Sequence, residues 1–108
     1  MKSIFYSALS FALMISAAVF AQGGKVSDNL TITSKILKMD RKYAIYLPED
    51  YYTSDRSYPV LYLLHGSGDD QSGWVQFGEV KHIADKAIAE GKCTAMIIVM
   101  PDGNTGQR

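Results

Sequence analysis

Two short runs of consecutive apolar residues, 60–64 and 95–100, constrain the fold of this chain more than any other feature. Strands that are apolar at every position belong to sheets covered on both faces, which are usually parallel sheets. Between the two runs, apolar residues recur within 80–88 at the spacing of one helical face, and Gly91 follows at the position of a left-handed C-cap. This strand–helix–strand pattern predicts a right-handed βαβ unit and an α/β fold.

The segment before this unit predicts an antiparallel hairpin. Residues 30–36 alternate between apolar and polar types, as in a half-buried strand, and residues 43–47 are rich in the aromatic and β-branched types that favour strands. The polar residues 38–41 between them are typical of a turn. Residues 22–29 are polar without a clear pattern, and we predict that they form a flexible lead before the first strand.

The first 21 residues have the layout of a secretory signal peptide. Lys2 gives a positive start, residues 8–15 lie in a short apolar core, and Val19 and Ala21 stand at the two positions that precede a cut. We therefore predict cleavage after Ala21, a secreted or periplasmic location and no membrane association afterwards. The alternative is an uncleaved membrane anchor, but serines interrupt the apolar stretch and no basic stop signal follows it directly.

The mature chain would be small and almost neutral. Removing 21 of the 108 residues leaves 87, with 10 basic and 11 acidic side chains, so no net field favours nucleic acid. The single cysteine, Cys93, can form neither an internal disulfide nor a zinc site, and we expect neither a metal nor a cofactor. The helix predicted at 80–88 can cover only one sheet face, so we expect the domain to continue beyond Arg108. The sequence leaves the oligomeric state open.

The loop that follows the run at 60–64 carries the strongest functional signal. In open α/β sheets, ligands bind beyond the carboxyl ends of the strands, and Gly66 and Gly68 allow a sharp turn whose N–H groups approach a ligand. Such donors can stabilise an oxyanion, although an ordinary tight connection has the same composition. A dinucleotide fingerprint is excluded because Gln71 stands where its third glycine is required, and a phosphate-binding loop is excluded because no lysine follows the glycines.

Four segments together resemble the opening of the secreted α/β-hydrolase esterases: YAIYLP at 43–48, YPVLYLLHGSGDD at 58–70, GW at 73–74 and IVMPDG at 98–103. The group contains feruloyl and acetyl-xylan esterases of carbohydrate esterase family one, esterase D, enterochelin-esterase-like enzymes and mycolyltransferases. The resemblance implies that residues 30–108 are the incomplete, N-terminal half of an α/β-hydrolase fold. In that half, an antiparallel hairpin precedes a βαβ unit of a mostly parallel sheet.

The resemblance also implies roles for individual residues. The backbone N–H of Ser67 would supply one donor of the oxyanion hole, with Gly68 as the nearest alternative. His65 and Gly66 would orient this loop. Trp74 would either line the pocket or pack the loop.

No catalytic triad is expected within the chain itself. The family's nucleophile lies in a Gly-x-Ser-x-Gly elbow, which no serine of this chain occupies, so the serine, the acid and the histidine are expected after Arg108. The resemblance implies a secreted serine esterase that acts on a small or polysaccharide-linked ester, such as a feruloyl or acetyl group of plant polysaccharide, while the chain alone would be inactive. Two alternatives stay open, namely an exported non-catalytic binding domain of the same fold and a self-sufficient binding module of 87 residues.

Overall fold

A computed structural model describes residues 23–106 of the chain. The predicted signal peptide, residues 1–21, lies outside the described residues. The described elements are β1 (Lys25–Ser34), β2 (Met39–Leu47), β3 (Val60–Tyr62), α1 (Gly73–Gln76), α2 (Val80–Ala89) and β4 (Ile97–Pro101). The four strands form one mixed sheet in the order β1-β2-β4-β3. No helix in this range is long and apolar enough to cross a membrane.

The predicted antiparallel hairpin is present, but its first strand begins earlier than the sequence suggests. β1 pairs with β2 from Lys25 opposite Leu47 to Ser34 opposite Met39. Residues 25–29, predicted as part of the flexible lead, are therefore strand. β1 is an edge strand whose side chains are mostly exposed, so backbone pairing holds these residues where their side chains show no apolar pattern.

The hairpin turn also lies earlier than predicted, at residues 35–38 and not at 38–41. Its last residue, Lys38, adopts a left-handed φ of 54°. The hydroxyl of Ser34 accepts a hydrogen bond from the N–H of Leu37 at 3.1 Å, and this bond stabilises the turn. Polar composition locates such a turn only to within a few residues, because it does not show which residue takes the left-handed conformation.

The predicted βαβ unit is confirmed. β3 and β4 pair in parallel, with Leu61 opposite Ile98, and β4 also pairs with β2 in the antiparallel sense. β4 therefore has a strand on each side. Its residues alternate between buried and half-buried, so only one of its faces is covered within residues 23–106, and the strand begins at Ile97, two residues later than its apolar run. β3 ends at Tyr62, two residues earlier than predicted, although the N–H of Leu63 still donates to the carbonyl of Val99 at 2.9 Å.

The core lies between α2 and one face of the sheet. It is formed by β2, β4 and α2 through Ala44, Tyr46, Ile98, Met100, Val80 and Ala84. Strand alternation directs Ile45 and Val99 to the opposite face, where they are only half-buried. Both described helices pack on the first face. The second face and the edge strand β3, with all three residues exposed, are thus open within the described part of the chain.

One carboxylate joins the start of β1, the end of β2 and α2. Asp85 Oδ1 accepts hydrogen bonds from the N–H of Gly24 at 2.8 Å and from the hydroxyl of Tyr46 at 2.7 Å, and Oδ2 lies 2.6 Å from Nζ of Lys81. Burial alone would raise the pKa of Asp85, but these hydrogen bonds favour the carboxylate more strongly, so the pKa is lowered. Burial, together with the hydrogen bond to Asp85, raises the pKa of Tyr46, so its hydroxyl remains a donor.

Candidate functional site

The two parallel strands end at the same edge of the sheet, and the loops that follow them meet there. We define the β3 loop as residues 65–72 and the β4 loop as residues 102–105. Two hydrogen bonds join these loops, one to the side chain of His65 and one from the side chain of Asn104. Ligands of open α/β sheets bind at this edge. The paired loops are therefore the candidate site.

A tight turn at residues 66–69 forms the tip of the β3 loop. The N–H of Asp69 donates to the carbonyl of Gly66 at 3.2 Å, and Gly68 adopts a φ of +81°. Positive φ at the third residue is characteristic of a type II turn, and glycine adopts it without the strain that a side chain would bring. The predicted requirement for glycine at position 68 therefore has a conformational cause.

The predicted oxyanion donors are the two central N–H groups of this turn, those of Ser67 and Gly68. Both residues are exposed, and neither N–H has a hydrogen-bond acceptor among residues 23–106. An N–H that is fixed in a turn and unpaired can bind an anionic oxygen without first giving up another bond. The structure brings both donors to the carboxyl edge of the sheet, and their catalytic role stays a prediction.

His65 fixes the turn through both of its ring nitrogens. Its side chain is only 10% exposed. Nε2 accepts the N–H of Gly103 at 2.9 Å and also lies 3.4 Å from Oδ1 of Asp102, while Nδ1 lies 2.8 Å from the carbonyl oxygen of Gly66. Because a backbone N–H can only donate, the neutral ring carries its hydrogen on Nδ1 and donates it to Gly66. These contacts suit an orienting residue better than a general base, and any effect of His65 on catalysis stays a prediction.

Asn104 is a site residue that sequence reasoning missed. Its Nδ2 donates to the carbonyl of Asp69 at 2.7 Å and to Oδ1 of Asp102 at 2.9 Å, while its own N–H donates to the same Oδ1 at 3.0 Å. The Asp-x-Asn spacing at 102–104 is the signal that could have indicated it, because aspartate commonly accepts the N–H two residues ahead in a loop. In the sequence, this spacing matches only the start of a calcium-loop pattern, which the following residues break.

Two carboxylates brace the other end of the β3 loop against α1. The carboxylate of Asp69 lies directly over Gly73, where the Cβ of any larger residue would collide with it. Oδ1 of Asp70 accepts hydrogen bonds from Oγ and N–H of Ser72, at 2.6 and 2.9 Å, and these bonds lower the pKa of Asp70. Between residues 23 and 106, no group of three or more His, Cys, Asp or Glu is placed to hold a metal ion.

Trp74 joins α1 to the end of β3. Its Nε1 donates to the carbonyl of Leu64 at 2.9 Å, although the residue is 38% exposed. Its ring lies beside Gly78 and forms part of the wall of an apolar cavity of about 260 Å³ on the α2 side of the sheet, which Leu61 and Cys93 also line. Trp74 therefore packs the loop, and whether it also contacts a substrate stays a prediction.

Comparison with known proteins identifies relatives of the chain. Residues 34–108 match the model of the protein family described as "Putative esterase". Esterase Rv1288 from Mycobacterium tuberculosis is 48% identical over 59 residues, which cover 55% of this chain and 12% of that protein. An endo-1,4-beta-xylanase/feruloyl esterase from Xylanibacter ruminicola is 40% identical over 65 residues, which cover 56% of this chain and 9% of that protein.

The fold also matches that of a solved esterase. A ferulic acid esterase superposes with a TM-score of 0.71 and 38% sequence identity, over 74% of this chain and 30% of the esterase. The predicted α/β-hydrolase fold is thereby confirmed for the part of it that this chain contains. The chain spans about a tenth of the two curated relatives and less than a third of the solved esterase.

Proposed function

Because this chain belongs to the "Putative esterase" family, we propose that it contributes the oxyanion-binding half of an exported serine esterase. The observation that supports this most directly is the pair of unpaired N–H groups of Ser67 and Gly68, held in one turn at the carboxyl edge of the sheet. An enzyme that splits esters needs such donors, because negative charge develops on the carbonyl oxygen during the reaction.

The proposed mechanism is acyl transfer through a covalent intermediate. A serine hydroxyl attacks the ester carbonyl carbon while a histidine takes its proton, and the electron pair of the C=O bond moves onto the oxygen. The N–H of Ser67 holds this oxyanion, with Gly68 as the alternative donor. The intermediate collapses, the alcohol leaves with the proton from the histidine, and water releases the acid by the same steps. In this proposal the serine, the acid and the histidine lie beyond Arg108.

We further propose that the substrate is an acyl ester linked to plant polysaccharide, such as a feruloyl or acetyl ester. Two observations support this class. The names of similar proteins include a ferulic acid esterase and a protein that combines xylanase with feruloyl esterase. The N-terminal residues also have the composition of a secretion signal, which suits an enzyme that meets polysaccharide outside the cell.

The test begins with the gene. The reading frame is sequenced past codon 108, and the full-length reading frame is expressed and assayed with an aryl acetate and with methyl ferulate. We expect a downstream Gly-x-Ser-x-Gly, then an aspartate or glutamate, then a histidine, and we expect turnover of both esters.

Two controls make this test specific. The downstream Ser→Ala variant should lose turnover, and residues 22–108 expressed alone should show none. If the elbow serine is replaced in the natural sequence and the protein still binds xylan, the exported binding domain is the correct alternative. If residues 22–108 alone hydrolyse the aryl acetate, the proposed division of the active site is wrong.

A further inference from the structure

The side chain of Asn104 bridges the two loops at the end of the turn that carries the proposed oxyanion donors. Its Nδ2 has two hydrogens and uses both, one towards the carbonyl of Asp69 at 2.7 Å and one towards Oδ1 of Asp102 at 2.9 Å. The N–H of Asn104 donates to the same Oδ1 at 3.0 Å. Asp102 therefore fixes both the backbone and the side-chain amide of Asn104, so that the amide points across to the β3 loop.

The hydrogen bond from Asn104 to Asp69 lies at one end of the turn that carries the proposed oxyanion donors. The turn spans residues 66–69, and its two flanks are attached to the same β4 loop. His65 makes the attachment before the turn, by accepting the N–H of Gly103, and Asn104 makes the attachment at its last residue, Asp69. The two attachments hold both ends of the turn against the β4 loop. Removing the Asn104 side chain therefore releases the attachment at the Asp69 end of the turn.

The direction of the Ser67 and Gly68 N–H groups depends on the orientation of this turn. Asn104 donates to the carbonyl of Asp69 at one end of the turn, and His65 contacts the carbonyl of Gly66 at the other. Hydrogen-bond donors act on a developing oxyanion only within narrow limits of distance and angle, so a small rotation weakens them.

We propose that Asn104 is a positioning residue: it holds the oxyanion turn at the angle that aims the Ser67 and Gly68 N–H groups at the substrate oxygen, without touching the substrate. This inference rests on the proposed esterase function. It assigns to an exposed loop asparagine an effect on the rate of the chemical step and none on ground-state substrate binding.

The test compares three variants of the full-length reading frame, with rates divided by the active-site concentration from burst titration. In Asn104→Ala we expect kcat to fall by about tenfold with KM unchanged, because the affected donors act mainly in the transition state. Asn104→Asp keeps the shape but puts an acceptor beside the carbonyl of Asp69, and should lose at least as much. Asn29→Ala changes the other asparagine of the described chain, whose Oδ1 accepts from Nζ of Lys42, and should keep the wild-type rate.

A second readout separates positioning from a general loss of structure. An aryl boronic acid forms a tetrahedral adduct with the nucleophile and places an oxygen in the oxyanion hole, whereas free ferulate does not. We expect Asn104→Ala to lower the affinity for the boronate by the same factor by which it lowers kcat, and to leave the affinity for ferulate unchanged. A kcat within about twofold of wild type, or a loss of kcat without a loss of boronate affinity, overturns the proposal.

A third readout keeps the proposal testable if the esterase assignment fails. If the full-length protein hydrolyses no ester, the proposed function is wrong. The attachment of the turn by Asn104 is then tested by amide hydrogen exchange in that same protein. The N–H of Asp69, which closes the turn, should exchange about tenfold faster in Asn104→Ala than in wild type or Asn29→Ala. Equal exchange rates in all three proteins would show that Asn104 does not hold the turn.

Discussion

Ser67 can act through its backbone or through its side chain, and two substitutions at this one position separate the two roles. Ser67→Ala removes the hydroxyl and keeps the N–H, so we expect kcat of the full-length reading frame to stay within about twofold of wild type. Ser67→Pro removes the N–H, and proline is favoured at the second position of a type II turn. We expect it to lower kcat by about 10²–10³, or about 3–4 kcal/mol of transition-state stabilisation.

The thermal stability of both variants serves as the control for this comparison. A melting temperature close to wild type in Ser67→Pro would show that the turn is intact. Equal activity of Ser67→Pro and Ser67→Ala would mean that the N–H of Ser67 is not an oxyanion donor, and Gly68 would become the remaining choice.

His65 offers a prediction that needs no catalytic assay. The N–H of Gly103 donates to Nε2, so the neutral imidazole must keep its hydrogen on Nδ1, facing the carbonyl of Gly66. Nitrogen NMR of the ring distinguishes protonated from unprotonated nitrogens, and we expect the Nδ1–H tautomer. A ring with its hydrogen on Nε2 would contradict the Gly103 contact and would indicate a hydrogen bond to Oδ1 of Asp102, 3.4 Å away, in its place. His82, exposed on α2, provides a reference ring in the same spectrum.

Sequence reasoning finds the residues of the site that belong to a recognisable motif and misses those defined only by contacts. The Leu-His-Gly segment and its glycines indicate the turn from the sequence alone. Asn104 looks like any solvated loop residue, because its partner Asp69 is 35 positions away. Asp85 is missed for the same reason, since Tyr46 and Gly24 lie 39 and 61 positions from it. A single sequence contains no signal for such long-range polar pairs.

At the scale of elements, apolar patterning predicts what is buried and fails where the backbone alone holds a strand. The predictions of β4 and α2 are correct in type, because Ile98 and Met100 of β4 are buried and α2 presents Val80 and Ala84 to the sheet. β4 nevertheless begins at Ile97, two residues later than predicted. β1 extends five residues earlier than expected because an edge strand needs hydrogen bonds and few apolar side chains. Patterning also leaves the order of the strands open, since it does not reveal that β4 lies between β2 and β3.

The contact between the hairpin and α2 predicts a pH dependence of stability. Asp85 has a pKa in the folded protein below its ordinary value of 3.8, because the hydrogen bonds from Lys81, Gly24 and Tyr46 outweigh the effect of burial. A lowered folded-state pKa means that the stabilisation is fully present above that ordinary value and is lost as the pH falls through the folded-state pKa. Asp85 should therefore contribute to acid unfolding of the full-length reading frame below about pH 4.

The substitution Asp85→Asn tests this directly. It removes the charge and should lower the free energy of unfolding by about 1–3 kcal/mol at pH 7, with a difference from wild type that narrows as the pH falls below about 4. Chemical denaturation at a series of pH values measures both quantities. Asp55→Asn, at an exposed position of the loop after β2, is the matched control and should follow the wild-type curve. A constant difference at every pH would contradict the role of ionised Asp85.

For the molecule as a whole, the open second face of the sheet predicts that another part of the full-length protein packs against it. Tyr62 of β3 is 68% exposed and lies on that face opposite Val99, while Tyr52 in the loop after β2 is 74% exposed. Both tyrosines are mostly exposed in the described residues, but only Tyr62 belongs to a strand of the central sheet. A sheet of this kind requires cover on both faces, so in the proposed full-length protein Tyr62 should be buried and Tyr52 should remain exposed.

Lysine at these two positions distinguishes them, because burying an unpaired charge is costly and exposing one is not. In the full-length protein, Tyr62→Lys should lower the free energy of unfolding by about 2–4 kcal/mol. Tyr52→Lys should lower it by less than about 1 kcal/mol, because it loses only the exposed ring contacts with Tyr51 and Lys25. In residues 22–108 expressed alone, we expect lysine at position 62 to be favourable, because no later segment covers it there. There the open β3 edge favours association between copies, and Tyr62→Lys should reduce the sedimenting oligomers while Tyr52→Lys leaves them unchanged. Equal tolerance of lysine at both positions in the full-length protein would mean that no later segment covers this face, and the self-sufficient binding module would then be the better description of the chain.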